Sequence, residues 1–338
     1  MTRETLLSVR DLKTYIPQDE GTVKAVDGVS FDLYPGGTLG IVGESGCGKS
    51  VTARSILGIV DRPGRIVEGE IRFRRRGAGD LAEAGREVDL AKLAPDSPGM
   101  RAIRGAEIAL IFQEPMSSFS PVHTIGNQID EAIVLHQGLG QRLAREKTIE
   151  MLRRVGVSSP EERVDQLSSQ LSGGLRQRAM IAMALSCNPT LLIADEPTTA
   201  LDVTTQTQIL QLMRQLQRED GMAIMLITHD LGVIAEMATD VAVMYLGRVV
   251  EQGPVDAIFH APRHPYTKAL LRSIPSIRAR SRERLTPIAG SVPHPYDRPS
   301  GCPFHPRCAD FMAGTCDGRE PTLRPVNDGH AVSCFLYE

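Results

Sequence analysis

The stretch Gly43-Glu44-Ser45-Gly46-Cys47-Gly48-Lys49-Ser50 has the form G-x-x-x-x-G-K-[ST], that of a phosphate-binding loop. Thr38-Leu39-Gly40-Ile41-Val42 before it reads as a buried strand, and Val51-Thr52-Ala53-Arg54-Ser55-Ile56-Leu57 after it can start a helix. Strand, glycine loop and helix together set this motif apart from a chance glycine turn. Glycines let consecutive N–H groups turn inward towards phosphate oxygens, and the new helix aims its positive dipole end at the same anion. Lys49 adds a mobile charge for the outer phosphates, and the Ser50 hydroxyl suits Mg²⁺.

Working outward, strand and helix patterns alternate. Ala25 to Leu33 has the period of a half-buried strand, Pro35-Gly36-Gly37 is a turn, and Ile108 to Phe112 is an apolar strand ending at Gln113. Residues 75–100 read as an exposed insertion, and the run Arg72, Arg74, Arg75, Arg76 as a solvated loop. Residues 124–185 read as helical, with Leu143, Ile149, Leu152 and Val155 forming the apolar face of one helix. Ser172-Gly173-Gly174 opens an apolar helix, either as a second anion site or as an ordinary cap. Leu191 to Ala194 is an apolar strand ending in Asp195 and Glu196, a Walker B pattern whose first acid holds Mg²⁺ and whose second polarises water. Ile209, Leu212, Met213 and Leu216 have helical core spacing, and Ile224 to Thr228 is a strand closed by His229. The whole predicts an α/β domain with a largely parallel sheet.

At 338 residues and 41% hydrophobic content the chain holds a large domain and a smaller one. A net charge of −3 gives no global drive towards nucleic acid. The first residues lack the apolar core of a signal peptide, and no stretch reaches the roughly 18 apolar residues of a membrane span. The expectation is a cytosolic protein that meets a membrane only through a partner. Of six cysteines, Cys302, Cys308, Cys316 and Cys334 cluster near the C-terminus, with five, seven and seventeen residues between them. Four cysteines suit zinc or an iron–sulfur cluster, although paired C-x-x-C knuckles are missing.

Taken in order, the phosphate loop, Gln113, Leu171-Ser172-Gly173-Gly174-Leu175-Arg176-Gln177-Arg178, Asp195-Glu196, Ala200-Leu201-Asp202 and His229 resemble an ABC transporter ATPase. Phe112-Gln113-Glu114-Pro115-Met116-Ser117-Ser118, His264-Pro265-Tyr266-Thr267-Lys268-Ala269-Leu270-Leu271 and Cys302-Pro303-Phe304-His305-Pro306-Arg307-Cys308 resemble the ATPase subunits of dipeptide and oligopeptide importers, the D-type in particular. Phe119-Ser120-Pro121 departs from the family's usual Leu-Asn-Pro, with a local effect on coupling contacts expected.

The resemblance covers residues 5–260. It implies an ABC-type P-loop NTPase with a mainly parallel core sheet, an antiparallel β subdomain and a helical subdomain at about 114–185 within a nucleotide-binding domain of residues 1–260. A Cys-rich C-terminal extension over 261–338 would follow. It implies that two such domains clamp ATP head to tail. Gly43, Ser45, Gly46, Cys47, Gly48, Lys49, Ser50 and Val51 would grip the phosphates, and Tyr15 would stack on adenine. Ser50, Gln113 and Asp195 would order Mg²⁺, Glu196 would polarise water, and His229 would bind the γ-phosphate. Ser172, Gly173, Gly174 and Asp202 would serve the partner's nucleotide across the dimer. The implied partners are a second, different ATPase subunit, two transmembrane permease subunits and an extracytoplasmic binding protein. The implied place is the cytoplasmic membrane face. Similar extensions carry a [4Fe–4S] cluster, which is the expectation for the four cysteines, with structural zinc or free thiols as the alternatives. The rivals are an importer ATPase for another solute such as nickel, a soluble ABC ATPase acting on nucleic acid or ribosomes, and a phosphate-loop kinase or GTPase. The last would not need Leu171-Ser172-Gly173-Gly174.

Overall fold

The computed structural model describes residues 4–77, 85–113, 118–199, 201–273, 288–327 and 329–338. Glu114-Pro115-Met116-Ser117 and Ala200, which belong to two of the motifs, lie outside the described residues, as does part of the 75–100 stretch. The strands are β1 (Leu7–Gln18), β2 (Gly21–Leu33), β3 (Thr38–Val42), β4 (Arg65–Arg74), β5 (Glu87–Asp89), β6 (Ile108–Ile111), β7 (Leu191–Asp195), β8 (Ala223–Ile227), β9 (Asp240–Tyr245), β10 (Arg248–Pro254), β11 (Arg324–Asn327) and β12 (His330–Val332). The helices are α1 (Lys49–Ile56), α2 (Pro98–Ile103), α3 (Ile125–Gln137), α4 (Gln141–Arg154), α5 (Pro160–Arg163), α6 (Gly173–Leu185), α7 (Val203–Asp220), α8 (Leu231–Met237), α9 (Val255–His260) and α10 (Pro265–Arg272). Two compact units are formed. One comprises the chain up to Leu7, Leu33–Gly37 and Arg72–Ile227; the other comprises Ser8–Asp32, Thr38–Ile71 and Thr228–Glu338.

In the first unit β6, β7 and β8 run parallel, with Ile108 opposite Leu191 and Leu191 opposite Ala223. Every residue of β7 and β8 is buried, as parallel strands covered on both faces require. Helices α3, α4 and α6 pack on one another. The apolar face of α4 matches the one read in the sequence only in part: Leu152 and Val155 are buried, whereas Leu143 is 45% exposed and Ile149 half-buried, and Ala144, Thr148 and Met151 are buried in their place. The i, i+4, i+7, i+8 stripe wins because it includes small and polar residues that a search for large apolar ones passes over. The α7 stripe of Ile209, Leu212, Met213 and Leu216 is buried as expected.

The basic run is only in part a solvated loop: Arg72 and Arg76 are exposed as expected, but the run is partly strand and partly buried pairing. Arg72 and Arg74 lie in β4, whose end pairs antiparallel with β5. The Arg75 guanidinium donates to Glu107 at 2.8 and 2.9 Å, and the Arg76 amide donates to the same carboxylate at 2.6 Å. Glu107 is 1% exposed, so the pairing satisfies a charge that burial would otherwise penalise. Nor is the following stretch wholly exposed, since Leu90 and Met100 are buried.

In the second unit β1 lies between β2 and β4, and β3 pairs parallel with β9. From β9 the sheet continues antiparallel through β10, β12 and β11. The hairpin of β11 and β12 brings the end of the chain onto β10. There the buried Glu251 carboxylate accepts from the amides of Arg263 and His264, at 2.6 and 2.9 Å, and lies 2.7 Å from His330 Nε2. Among the described residues no helix is long and apolar enough to cross a membrane.

Candidate functional site

In the second unit, β3 is wholly buried and delivers the chain into the loop 43–48. Two glycines are required here for more than flexibility. A Cβ on Gly43 would meet the Met244 carbonyl at 2.2 Å, and one on Gly48 would meet the Ala25 carbonyl at 2.1 Å. Gly48, at φ 100, occupies the cap position of α1 with no side chain closing the helix end. A helix start without a side-chain cap suits an anion. Ser45 and Gly46 form an exposed crest, while Cys47, Gly48 and Lys49 are buried and Ser50 and Val51 half-buried. The Lys49 Nζ donates to the carbonyls of Gly43 at 2.8 Å and Glu44 at 3.1 Å, so the charge is tethered within the loop. Burial pushes the Cys47 thiol up from its usual range.

Tyr15 is half-buried on β1, with its hydroxyl donating to Asp27 at 2.6 Å and Lys24 Nζ 5.6 Å from its ring centre. Burial and that bond push the Tyr15 phenol up to about 12. Burial works against the Asp27 carboxylate. The Tyr15 hydroxyl and the Arg298 and Arg248 guanidiniums outweigh it and hold Asp27 below the usual range. His229 is exposed at the bend after Thr228, just before Asp230 caps α8 through Oδ1 at 2.8 Å from the Gly232 amide.

In the first unit, Gln113 follows β6 and donates from Nε2 to Glu196 Oε2 at 3.2 Å. Asp195 ends β7 and is 7% exposed. Glu196, the next residue, takes φ 50, a conformation that few non-glycine residues adopt. Its carboxylate also accepts from Thr199 Oγ1 at 2.8 Å, so the side chain is held from two directions. Ser172 caps α6 with a long 3.5 Å contact to the Leu175 amide, and Ser172 and Gly173 are exposed. Asp202 caps α7, accepting from the Thr205 amide at 3.0 Å and hydroxyl at 2.7 Å, which holds it below the usual carboxylate range. Phe119, the departure from the family pattern, is buried at 3% exposure.

The cysteine expectation is overturned. Among the described residues no group of three or more His, Cys, Asp or Glu side chains is placed to hold a metal ion, and Cys302, Cys308, Cys316 and Cys334 are all described. Neither an iron–sulfur cluster nor zinc has a ligand set there. Burial pushes the Cys302 and Cys308 thiols up to about 11. The C-terminal segment is held instead by peptide and side-chain bonds, among them Cys302 N to Cys316 O at 2.7 Å.

Several residues at the site receive no role from the sequence, although Tyr266 and Arg307 stand in two of its motifs. Thr199 has no motif of its own, and Tyr266 and Arg307 reach the loop only through folding, at Glu44. The contacts of Tyr266 and Arg307 with Glu44 span more than two hundred residues, too far for any local pattern to expose them, whereas Thr199 lies three residues from its partner and belongs to no recognised pattern.

Residues 26–199 match the family described as ABC transporter, and residues 250–316 match the oligopeptide/dipeptide transporter C-terminal region. The chain is 46% identical over 329 residues to the dipeptide transport ATP-binding protein DppD of Escherichia coli, covering 97% of this chain and 96% of that one. It is 46% identical over 336 residues to DppD of Bacillus subtilis, covering 99% and 96%. It is 47% identical over 344 residues to a putative peptide import ATP-binding protein of Brucella ovis, covering 100% and 99%. Among solved structures, the ATP-binding cassette MJ0796, a dimer in a post-hydrolysis state bound to ADP and Pi, is similar with a TM-score of 0.63. That match has 25% identity and covers 74% of this chain and 98% of that one.

Proposed function

The chain belongs to the ABC transporter family and carries the oligopeptide/dipeptide transporter C-terminal region, and from that premise we propose that it is the ATP-hydrolysing subunit of a peptide importer. The observation that carries this reading is the joining of a phosphate-loop cassette to that C-terminal region, matched along the whole length of peptide-import relatives. The nucleic-acid and other-solute alternatives are not favoured, since those full-length relatives are named for peptide transport. The nucleotide-binding domain spans residues 1–260, with its helical subdomain at about 114–185, and the extension spans 261–338.

Phosphoryl transfer needs placement and charge stabilisation more than covalent chemistry, and the side chains divide accordingly. The amides of Gly43, Ser45, Gly46, Cys47, Gly48, Ser50 and Val51 and the Lys49 ammonium receive the β- and γ-phosphates. Tyr15 stacks on the adenine. Glu196, held by Gln113 and Thr199, accepts the proton of the attacking water, and His229 binds the γ-phosphate. The Ser50 hydroxyl, the Asp195 carboxylate and the Gln113 amide oxygen are all hard oxygen donors, which fits Mg²⁺. When bound, that ion neutralises charge on the β- and γ-oxygens.

Ser172, Gly173 and Gly174 are exposed or half-buried, as a surface offered to a second ATPase subunit would be, and Asp202 reports across the same interface. We place the chain at the cytoplasmic membrane face. There it pairs with a different ATPase subunit, docks through the helical subdomain on two permease subunits and serves an extracytoplasmic binding protein. ATP binding closes the ATPase pair, and hydrolysis with phosphate release reopens it. The test is to isolate the complex and measure peptide-stimulated ATP turnover with and without Glu196→Gln. Permease subunits that co-purify and a turnover lost in the variant support the reading. Nucleic acid or ribosomes in their place, or an unaltered turnover, overturn it.

A further inference from the structure

Glu44 places a carboxylate in the loop that must receive a polyanion, and the C-terminal segment supplies its counter-charge. Arg307 grips that carboxylate with both terminal nitrogens, at 2.7 and 3.0 Å. Its Nη1 also donates to the Tyr245 hydroxyl at 3.3 Å, and its Nε donates to the Ala289 carbonyl at 3.0 Å. The guanidinium is thus committed in every direction, and its side chain is only 4% exposed against 24% for Glu44. Tyr245, Tyr266 and Phe304 pack as an aromatic cluster beside it, with ring centres 4.7 to 5.3 Å apart. From that cluster the Tyr266 hydroxyl accepts the Glu44 amide at 2.9 Å. Backbone and side chain of Glu44 are therefore fixed by two separate elements from beyond residue 260. The same residue's carbonyl is one of the two that tether Lys49.

We propose that Arg307 is a positioning residue for the phosphate loop: it neutralises and orients Glu44, so that nucleotide affinity depends on the docked C-terminal segment. The inference rests on the ATP reading above. A bidentate Arg–carboxylate pair fixes geometry as well as charge. With Arg307 gone, the bare Glu44 carboxylate stands beside the incoming phosphates, a repulsion worth on the order of tenfold in affinity at the screening of a protein surface. The direction of the double variant follows. Removing the Glu44 charge as well removes the repulsion, so the second change repairs the first. A purely structural staple behaves otherwise, since cutting it from both sides gives no recovery.

The experiment measures Mg-ATP binding by the full chain, and KM and kcat of the assembled complex, for wild type, Arg307→Met, Glu44→Gln and the pair together. Thermal midpoints are read in parallel. Arg307→Met is expected to raise Kd and KM about tenfold with kcat changed less than about twofold, and the double variant to return both to within about threefold of wild type. Should Arg307→Met not fold, Arg307→Lys keeps the charge without the fork and is expected to raise KM by about threefold, again relieved by Glu44→Gln. An unchanged KM in the arginine variant, or a double variant no better than the single, overturns the proposal even if the thermal midpoint falls. A wild-type chain that binds no ATP sinks the ATP reading itself, which is a separate result.

Discussion

At the N-terminus of α1, Gly48 holds the cap position with φ 100 and no side chain closes the helix, and Lys49 lies buried against the loop carbonyls. At the N-terminus of α6, Ser172 is the cap, its Oγ 3.5 Å from the Leu175 amide, and Ser172 and Gly173 are exposed. Both are glycine-bearing helix starts suited to an anion by the same dipole and amide argument. They differ in completeness. The α1 site is walled by its own unit, to the point that a Cβ at Gly43 or Gly48 would strike backbone, whereas a Cβ at Gly173 would meet nothing within 4 Å. A cradle that its own unit closes is built to hold a ligand. An open one is suited to being pressed against something, which in the proposed function is a second ATPase subunit.

The largest expected effect breaks the closed site. Lys49→Ala is expected to lower ATP turnover on the order of a thousand-fold and to weaken nucleotide binding with it, because no other buried ammonium stands in the loop. Turnover and titration calorimetry check it, and near-wild-type values would mean that α1 is not the anion site. Glu196→Gln comes next, with turnover down about a hundredfold while ATP affinity holds within about threefold, since the change removes a base and leaves the cradle.

The open site is sharpened by Gly174→Asp, which puts a carboxylate where a partner's phosphate would arrive. Turnover of the assembled complex should fall about thirtyfold, while ATP binding by the isolated chain stays as it was. A loss of binding in the isolated chain would erase the difference between the two helix ends.

The smallest effect concerns the frame beside the closed site. His264 caps α10, accepting the Tyr266 amide at Nδ1 at 3.0 Å, and burial holds it down at about 3 from an ordinary 6.5. A lowered histidine stabilises the fold fully above the unfolded value, and that stability drains away as pH falls from 6.5 towards 3. Urea midpoints should therefore drop between about pH 7 and about pH 5, by no more than ~1.4 kcal/mol per pH unit from this group. His264→Asn keeps an acceptor for the cap and removes the titration, so its acid slope should be shallower. An identical slope would assign the acid loss to other groups.

How much could be read in advance depended on distance along the chain. The phosphate loop, β3 and α1 form a single continuous stretch whose glycines, lysine and apolar flanks carry their meaning locally. The α7 stripe was legible for the same reason, through its large side chains. The α4 face was legible only at Leu152 and Val155, because Ala144 and Thr148 bury as firmly as leucines when a neighbouring helix lies close. The basic run misled because Glu107, its partner, lies more than thirty residues on. The four cysteines misled because spacing says that thiols can come near one another and not that their geometry holds a metal.

The residue string by itself determined the alternation of strands and helices, the phosphate loop and the acidic strand end, since each is a pattern of steric permission and charge within a few residues. It also carried the family, since the motifs stand in one order. Only the tertiary structure decided that Glu44 is paired with Arg307, that Glu196 is held by Gln113 and Thr199 at a positive φ, and that the cysteines form no metal centre. The reason is that a hydrogen bond or ion pair is settled by a few tenths of an ångström between atoms, and for residues far apart in the chain only the packed core sets that distance.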